Sequence, residues 1–136
     1  MFTEADIDRI GEAFAACTLP KAEWTHAGHF AAAIWALSRR RDGFAAMPAL
    51  IRGYNASVGT ANTPESGYHE TITVASLRCA AAFMRDAPRR EEALNALLAS
   101  RYGRSDWLLA YWTRERLFSR EARAVWIEPD MGCLPF

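Results

Sequence analysis

The chain's three histidines are His26, His29 and His69. Two stand in WTHAGHF, as His26-x-x-His29, and the third lies in GYHETIT, followed by Glu70. A helix turns about 100° per residue, so positions i and i+3 share one face. His26 and His29 therefore point the same way, and that direction continues through the apolar residues Phe30, Ala33 and Leu37. His69, read in the first turn of a later helix, has its direction continued by Ile72, Thr73 and Ser76. Two helix starts from separate parts of the chain thus offer three imidazoles to one point. Neutral imidazole is the commonest protein metal ligand, and three ligands with an open position mark catalytic metal sites. The expected site is a divalent ion held by His26, His29 and His69, with Zn, Ni, Fe, Mn and Cu not distinguished.

Glu70 lies about 100° from His69 on such a helix. It is read as the catalytic acid/base acting on bound water, with a fourth ligand or an anchor for an imidazole N–H as its other roles. Glu23 stands three residues before His26, the spacing found in carboxylate-bundle sites, so it is a candidate additional ligand. Tyr54 and Tyr68 are candidates for the pocket wall, with Arg52 and Asn55 beside Tyr54. The resulting function is a metal-dependent enzyme acting on a small molecule, with reaction and substrate unspecified. The alternative is a non-catalytic helical interaction or structural module whose histidines form a buried hydrogen-bond network. H-x-x-H alone is a weak motif, which keeps that alternative open.

The elements that must position these residues read as helices. Ala, Leu and Arg are abundant, and strand-like alternation is nearly absent, Val125–Ile127 being the best and too short a candidate. A first helix is expected over about Glu4 to Ala16, capped by Thr3. A second runs from about Thr25 to Arg41, stopped at Asp42-Gly43. A third covers about Phe44 to Ser57, followed by the loop GTANTPESG. A fourth spans about Tyr68 to Arg85, a fifth about Arg90 to Ser100, and a last helical region about Asp106 to Val125, broken near Leu117–Ser119. Within that last region TRERLFSREAR reads as a solvated face with internal ion pairs. The tail WIEPDMGCLPF reads as an ordered strap, because Trp126, Ile127, Leu134 and Phe136 are costly to leave in water. The expectation is one all-α domain over residues 1–136, a bundle of about six helices with a C-terminal strap.

The chain of 136 residues has 51% hydrophobic residues and a formal net charge of zero. That is enough apolar material for one core, and it leaves no basic excess for nucleic acid. The N-terminal MFTEADIDRI has no apolar signal region, and no window reaches a bilayer-spanning length, so a cytoplasmic protein without membrane association is expected. The three cysteines are too few and too far apart for a disulfide framework. Homodimerisation is left open.

WTHAGHFAAAIWAL, GYHETIT, LLAYWTRERLFSREAR and WIEPD together resemble a family of small, uncharacterised bacterial helical proteins with a WTHxxH … YHETIT pattern. The resemblance spans about Leu19 to Asp130 and implies only that His26, His29, His69 and Glu70 occupy the motif positions. At the level of fold the chain is also similar to DinB-like bundles, which hold a divalent metal with three histidines. Its histidine spacing departs from theirs, and the chain is shorter.

Overall fold

Thr3 opens the first helix, α1 (Glu4–Ala15), through a capping box: its hydroxyl accepts from the Asp6 N–H while the Asp6 carboxylate accepts from the Thr3 N–H. The computed structural model describes residues 1–136 and contains seven α-helices, three short 3₁₀ turns and no strand. After α1 come the 3₁₀ turn Lys21–Glu23, α2 (His26–Arg39), α3 (Gly43–Ser57), α4 (Glu70–Asp86) and α5 (Arg90–Ala99). The remainder is built of short pieces: 3₁₀ turns at Arg101–Gly103 and Trp107–Ala110, then α6 (Arg114–Leu117) and α7 (Arg120–Ala124). The architecture is an all-α bundle, and none of its helices is long and apolar enough to cross a membrane.

α2 is the central element. Its stretch from Phe30 to Ala36 is buried without interruption, because α1, α3, α4 and α5 all pack around it. A run of alanines suits this position, since small side chains let neighbouring helices approach closely. Arg90, at the first residue of α5, ties the bundle together at one edge. It reaches Glu4 at 2.6 Å and Asp8 at 3.0 Å, both on α1, and the Ser38 hydroxyl of α2 at 3.1 Å. Its side chain is only 15% exposed. The two guanidinium groups of Arg39 and Arg90 hold the Asp8 carboxyl well below the usual carboxylate range.

The helical region expected from Asp106 to Val125 is three short pieces: the expected break near Leu117–Ser119 separates α6 from α7, and a further break at Tyr111–Thr113 separates the 3₁₀ turn from α6. The hydroxyls of Thr113 and Ser119 accept from the N–H groups of Arg116 and Ala122, so each starts a new turn of helix rather than continuing the last one. The expected internal ion pairs of residues 113–123 also do not form. Arg116 donates to the Glu128 carbonyl, Arg120 pairs with Glu65, and Arg123 donates to the carbonyls of Gly67 and Tyr68. These arginines fasten the C-terminal segment to the body instead of decorating a free helix face. The strap beyond it is ordered on the core: Ile127 is buried, and Trp126, Leu134 and Phe136 pack against the core.

Candidate functional site: a histidine-lined apolar cavity

A cavity of about 460 Å³ lies between the first half of α2, α3, the start of α4, and the short pieces from Ser105 to Phe118. Twelve of its nineteen lining residues are hydrophobic, so its interior favours apolar atoms. Phe30 and Ala33 come from α2, Met47 and Ile51 from α3, Ile72 and Leu77 from α4, and Trp107 to Leu109 from the 3₁₀ turn. His29, Ser105, Asp106, Arg114 and Phe118 are its exposed lining residues and mark where it opens to solvent.

His26 and His29 both stand in this wall. The local sequence puts them there. Thr25 caps α2 by accepting from the Gly28 N–H at 3.1 Å, which makes His26 the first helical residue. Gly28 is required by the tight approach of the preceding turn, since a Cβ there would sit 2.3 Å from the Glu23 carbonyl oxygen. That approach swings Trp24 over the helix start. Its ring stacks on Phe14 at 4.6 Å and lies 3.7 Å from the His29 ring.

Each imidazole donates one N–H to a backbone carbonyl. His26 donates from Nε2 to Tyr102 at 2.8 Å, and His29 donates from Nδ1 to Thr25 at 2.7 Å. These bonds select the tautomer and leave Nδ1 of His26 and Nε2 of His29 with uncommitted lone pairs. His29 is solvent-exposed, but the Trp24 ring 3.7 Å away covers part of its imidazole and desolvates it. This desolvation, aided by neighbouring His26 and opposed by the Thr25 carbonyl, lowers its pKa below the ordinary histidine value. The shift favours the neutral form of the ring. A neutral imidazole oriented by a carbonyl is chemically a hydrogen-bond acceptor, a general base or a metal ligand.

His69 does not join them. It is not in the first turn of α4 but is that helix's N-cap, with extended backbone at φ −136° and ψ 110°. Its Nδ1 accepts from the Ile72 N–H at 3.2 Å, and its Nε2–H donates to the Leu117 carbonyl at 2.7 Å. Both nitrogens are committed, so no lone pair remains for an ion. Glu70 and Tyr68 are turned toward each other, the tyrosine donating to the carboxylate at 2.5 Å, and neither lines the cavity. Arg52 lies over the Tyr68 ring, 4.2 Å from its centroid. Glu23 pairs with Arg9 at 2.9 Å. Tyr54 is fully buried, and its hydroxyl donates to the Leu19 carbonyl. Asn55 bonds Asn62 and helps turn the chain after α3. The structure brings no three His, Cys, Asp or Glu side chains together in an arrangement for a metal ion.

The string Tyr68-His69-Glu70-Thr71 is a clasp. Besides the His69–Leu117 bond, the fully buried Thr71 hydroxyl donates to the Val125 carbonyl and accepts from the Ile127 N–H. Arg123 returns the contact from the other side, donating to the carbonyls of Gly67 and Tyr68. The start of α4 is thereby locked to four residues of the C-terminal segment. Trp24, Arg114, Phe118 and Trp107 are among the wall residues that sequence reasoning missed. Trp24 carried a signal, since it directly precedes the α2 cap and an aromatic there must fold back. The others are assembled by long-range packing that no local pattern encodes. No protein-family model, curated protein or solved structure matches the chain, so the resemblances drawn above rest on the quoted strings alone.

Proposed function

We propose that this protein binds a small, predominantly apolar molecule in the cavity, with His29 Nε2 accepting a hydrogen bond from it. The observation that carries this reading is an open apolar cavity whose wall holds an imidazole with one nitrogen anchored and the other free. Small-molecule sites are commonly mostly apolar cavities of this size, in which a few convergent polar groups set orientation. 1-Naphthol and 1-methylnaphthalene test it, because they share a shape and differ by an O–H donor. Both should quench tryptophan fluorescence saturably at one site per chain, since Trp24 and Trp107 form part of the wall. Naphthol should bind about threefold to tenfold tighter, as one net hydrogen bond allows, and His29→Phe should erase that preference. Quenching that does not saturate for either probe would remove the basis of the proposal.

A second reading has its own support. Metal-ligating histidines characteristically donate their other N–H to a carbonyl or carboxylate, as His26 and His29 both do. In this reading a divalent ion takes two protein nitrogens, from His26 and His29, and completes its shell with water or substrate, so that the apolar molecule meets a Lewis acid. Titration with Co²⁺ should then give a visible d–d spectrum that is lost in His26→Ala and in His29→Ala but kept in His69→Asn. A spectrum absent at millimolar ion, or one equally sensitive to His69, would count against a two-histidine site.

A further inference from the structure

The mouth of the cavity carries an unbalanced positive charge, and from it we infer that the ligand is an amphiphilic anion, with a carboxylate at the mouth and an apolar body inside. The inference rests on the cavity-binding reading above. Two charged residues line the cavity, Asp106 and Arg114. Asp106 is already matched, because Arg104 binds both its carboxylate oxygens at 3.1 and 3.2 Å. Arg114 takes part in no ion pair or side-chain hydrogen bond. It lies beside the ring of Phe118, 5.7 Å from the guanidinium carbon, and its charge also reaches the Asp106 carboxylate, though without a hydrogen bond. A guanidinium fork with five unused donors beside an apolar chamber is suited to a carboxylate, which it can bind bidentately.

Trp107 lines the cavity and is only 5% exposed, and its Nε1–H is the one buried side-chain nitrogen or oxygen in the chain without a hydrogen-bond partner. Indole nitrogen can only donate. That nitrogen is sealed within the wall rather than open to the chamber, so it reports on the wall and does not itself meet a ligand. Arg114 therefore offers hydrogen bonds to a bound molecule, and the one carboxylate at the mouth, Asp106, is already held by Arg104.

Octanoate, octan-1-ol and octylamine separate the possibilities, since they share a chain length and differ in the charge of the head. A carboxylate without a partner pays for desolvation that an alcohol avoids, so the alcohol would bind better to a purely apolar site. Octanoate should instead bind at least fivefold tighter than octanol at low salt, with octylamine weakest, and added salt should narrow the gap because Arg114 is exposed. Arg114→Gln should reverse the order of acid and alcohol, while Arg114→Lys should keep the acid ahead. The Trp107 indole N–H resonance should move on octanoate binding. Octanol binding as well as octanoate, with no response to Arg114→Gln, would overturn the anion inference and leave the cavity reading standing. Failure of all three to bind would overturn both.

Discussion

Replacing His69 by alanine is expected to destabilise the fold by about 3 kcal/mol without abolishing binding of an apolar probe in the chains that remain folded. The imidazole serves two helices at once. Through Nδ1 it caps α4, and loss of a cap costs about 1 kcal/mol. Through Nε2–H it satisfies the Leu117 carbonyl, and leaving a buried acceptor unpaired costs roughly 1–3 kcal/mol more. Asparagine at 69 separates the two roles, because it is a good cap but too short to span to Leu117; it should recover about 1 kcal/mol of the loss. Urea unfolding midpoints of the three proteins give these values directly. Equal stability of wild type and His69→Ala would mean that the clasp contributes nothing.

The same residue gives the fold an acid sensitivity. Burial lowers the pKa of His69, and Arg123 nearby lowers it further, although the Leu117 carbonyl opposes the shift. The folded pKa therefore lies below the unfolded value of about 6.5. Between those two values the unfolded chain binds more protons than the folded one, so stability is complete above about pH 6.5 and falls as the pH drops below it. The slope from one such histidine is at most about 1.4 kcal/mol per pH unit. His29, whose pKa is lowered as well, adds to the slope in the same direction. His69→Asn should flatten the dependence of the unfolding midpoint between pH 6.5 and 5 while leaving the part due to His29. Carboxylates do not interfere in that window, because their ordinary values lie near 4 and those of Glu4, Asp6, Asp8, Asp106 and Asp130 are all lowered.

The contrast between His26/His29 and His69 shows how far the residues could be read in advance. The i, i+3 pair was legible because helical geometry alone places two side chains on one face, and the Thr25 cap was visible in the sequence. Both rings do line one cavity. The helical bundle followed from composition and apolar periodicity, with α1, α2, α3, α4 and α5 bounded within a residue or two. His69 was misplaced because histidine is not among the common N-cap residues, so Tyr-His-Glu-Thr read as the helix's own first turn. A shift of one backbone conformation, from helical to extended, turned the ring from the expected centre to Leu117. Glu70 followed the same logic: its partner, Tyr68, lies two residues away across the cap, a relation that helical spacing does not include. The break near Leu117–Ser119 was legible, but the earlier one at Thr113 was hidden for a different reason. Threonine can sit inside a helix or start one, and only packing against the rest of the chain decides. The cavity itself has no local signature, because its wall is drawn from residues more than ninety positions apart.

Phenylalanine at position 76 should close the cavity to ligand while keeping the fold. Ser76 lies on the cavity-facing side of α4 and is only half-buried, so a larger side chain there has space to enter. Serine and phenylalanine have similar helix propensities, and filling space with apolar atoms commonly adds about 0.5–2 kcal/mol. Ser76→Phe should therefore unfold at the same urea concentration as wild type or a higher one, and its affinity for 1-naphthol should fall by about thirtyfold or more, equivalent to roughly 2 kcal/mol. Gly11→Ala supplies the opposite case. A Cβ there would lie 2.0 Å from the Trp35 ring, at the α1–α2 contact on a wall that has no room. Overpacking of this kind costs about 1–3 kcal/mol, against which the better helix propensity of alanine returns only about 1. One added methyl group should thus lower stability, while a whole aromatic ring at position 76 should not. That ordering depends on the space beside Ser76 being empty in the free protein and able to admit a ligand. If Ser76→Phe proves the less stable of the two variants, or binds naphthol as wild type does, the chamber is not the place where the ligand sits.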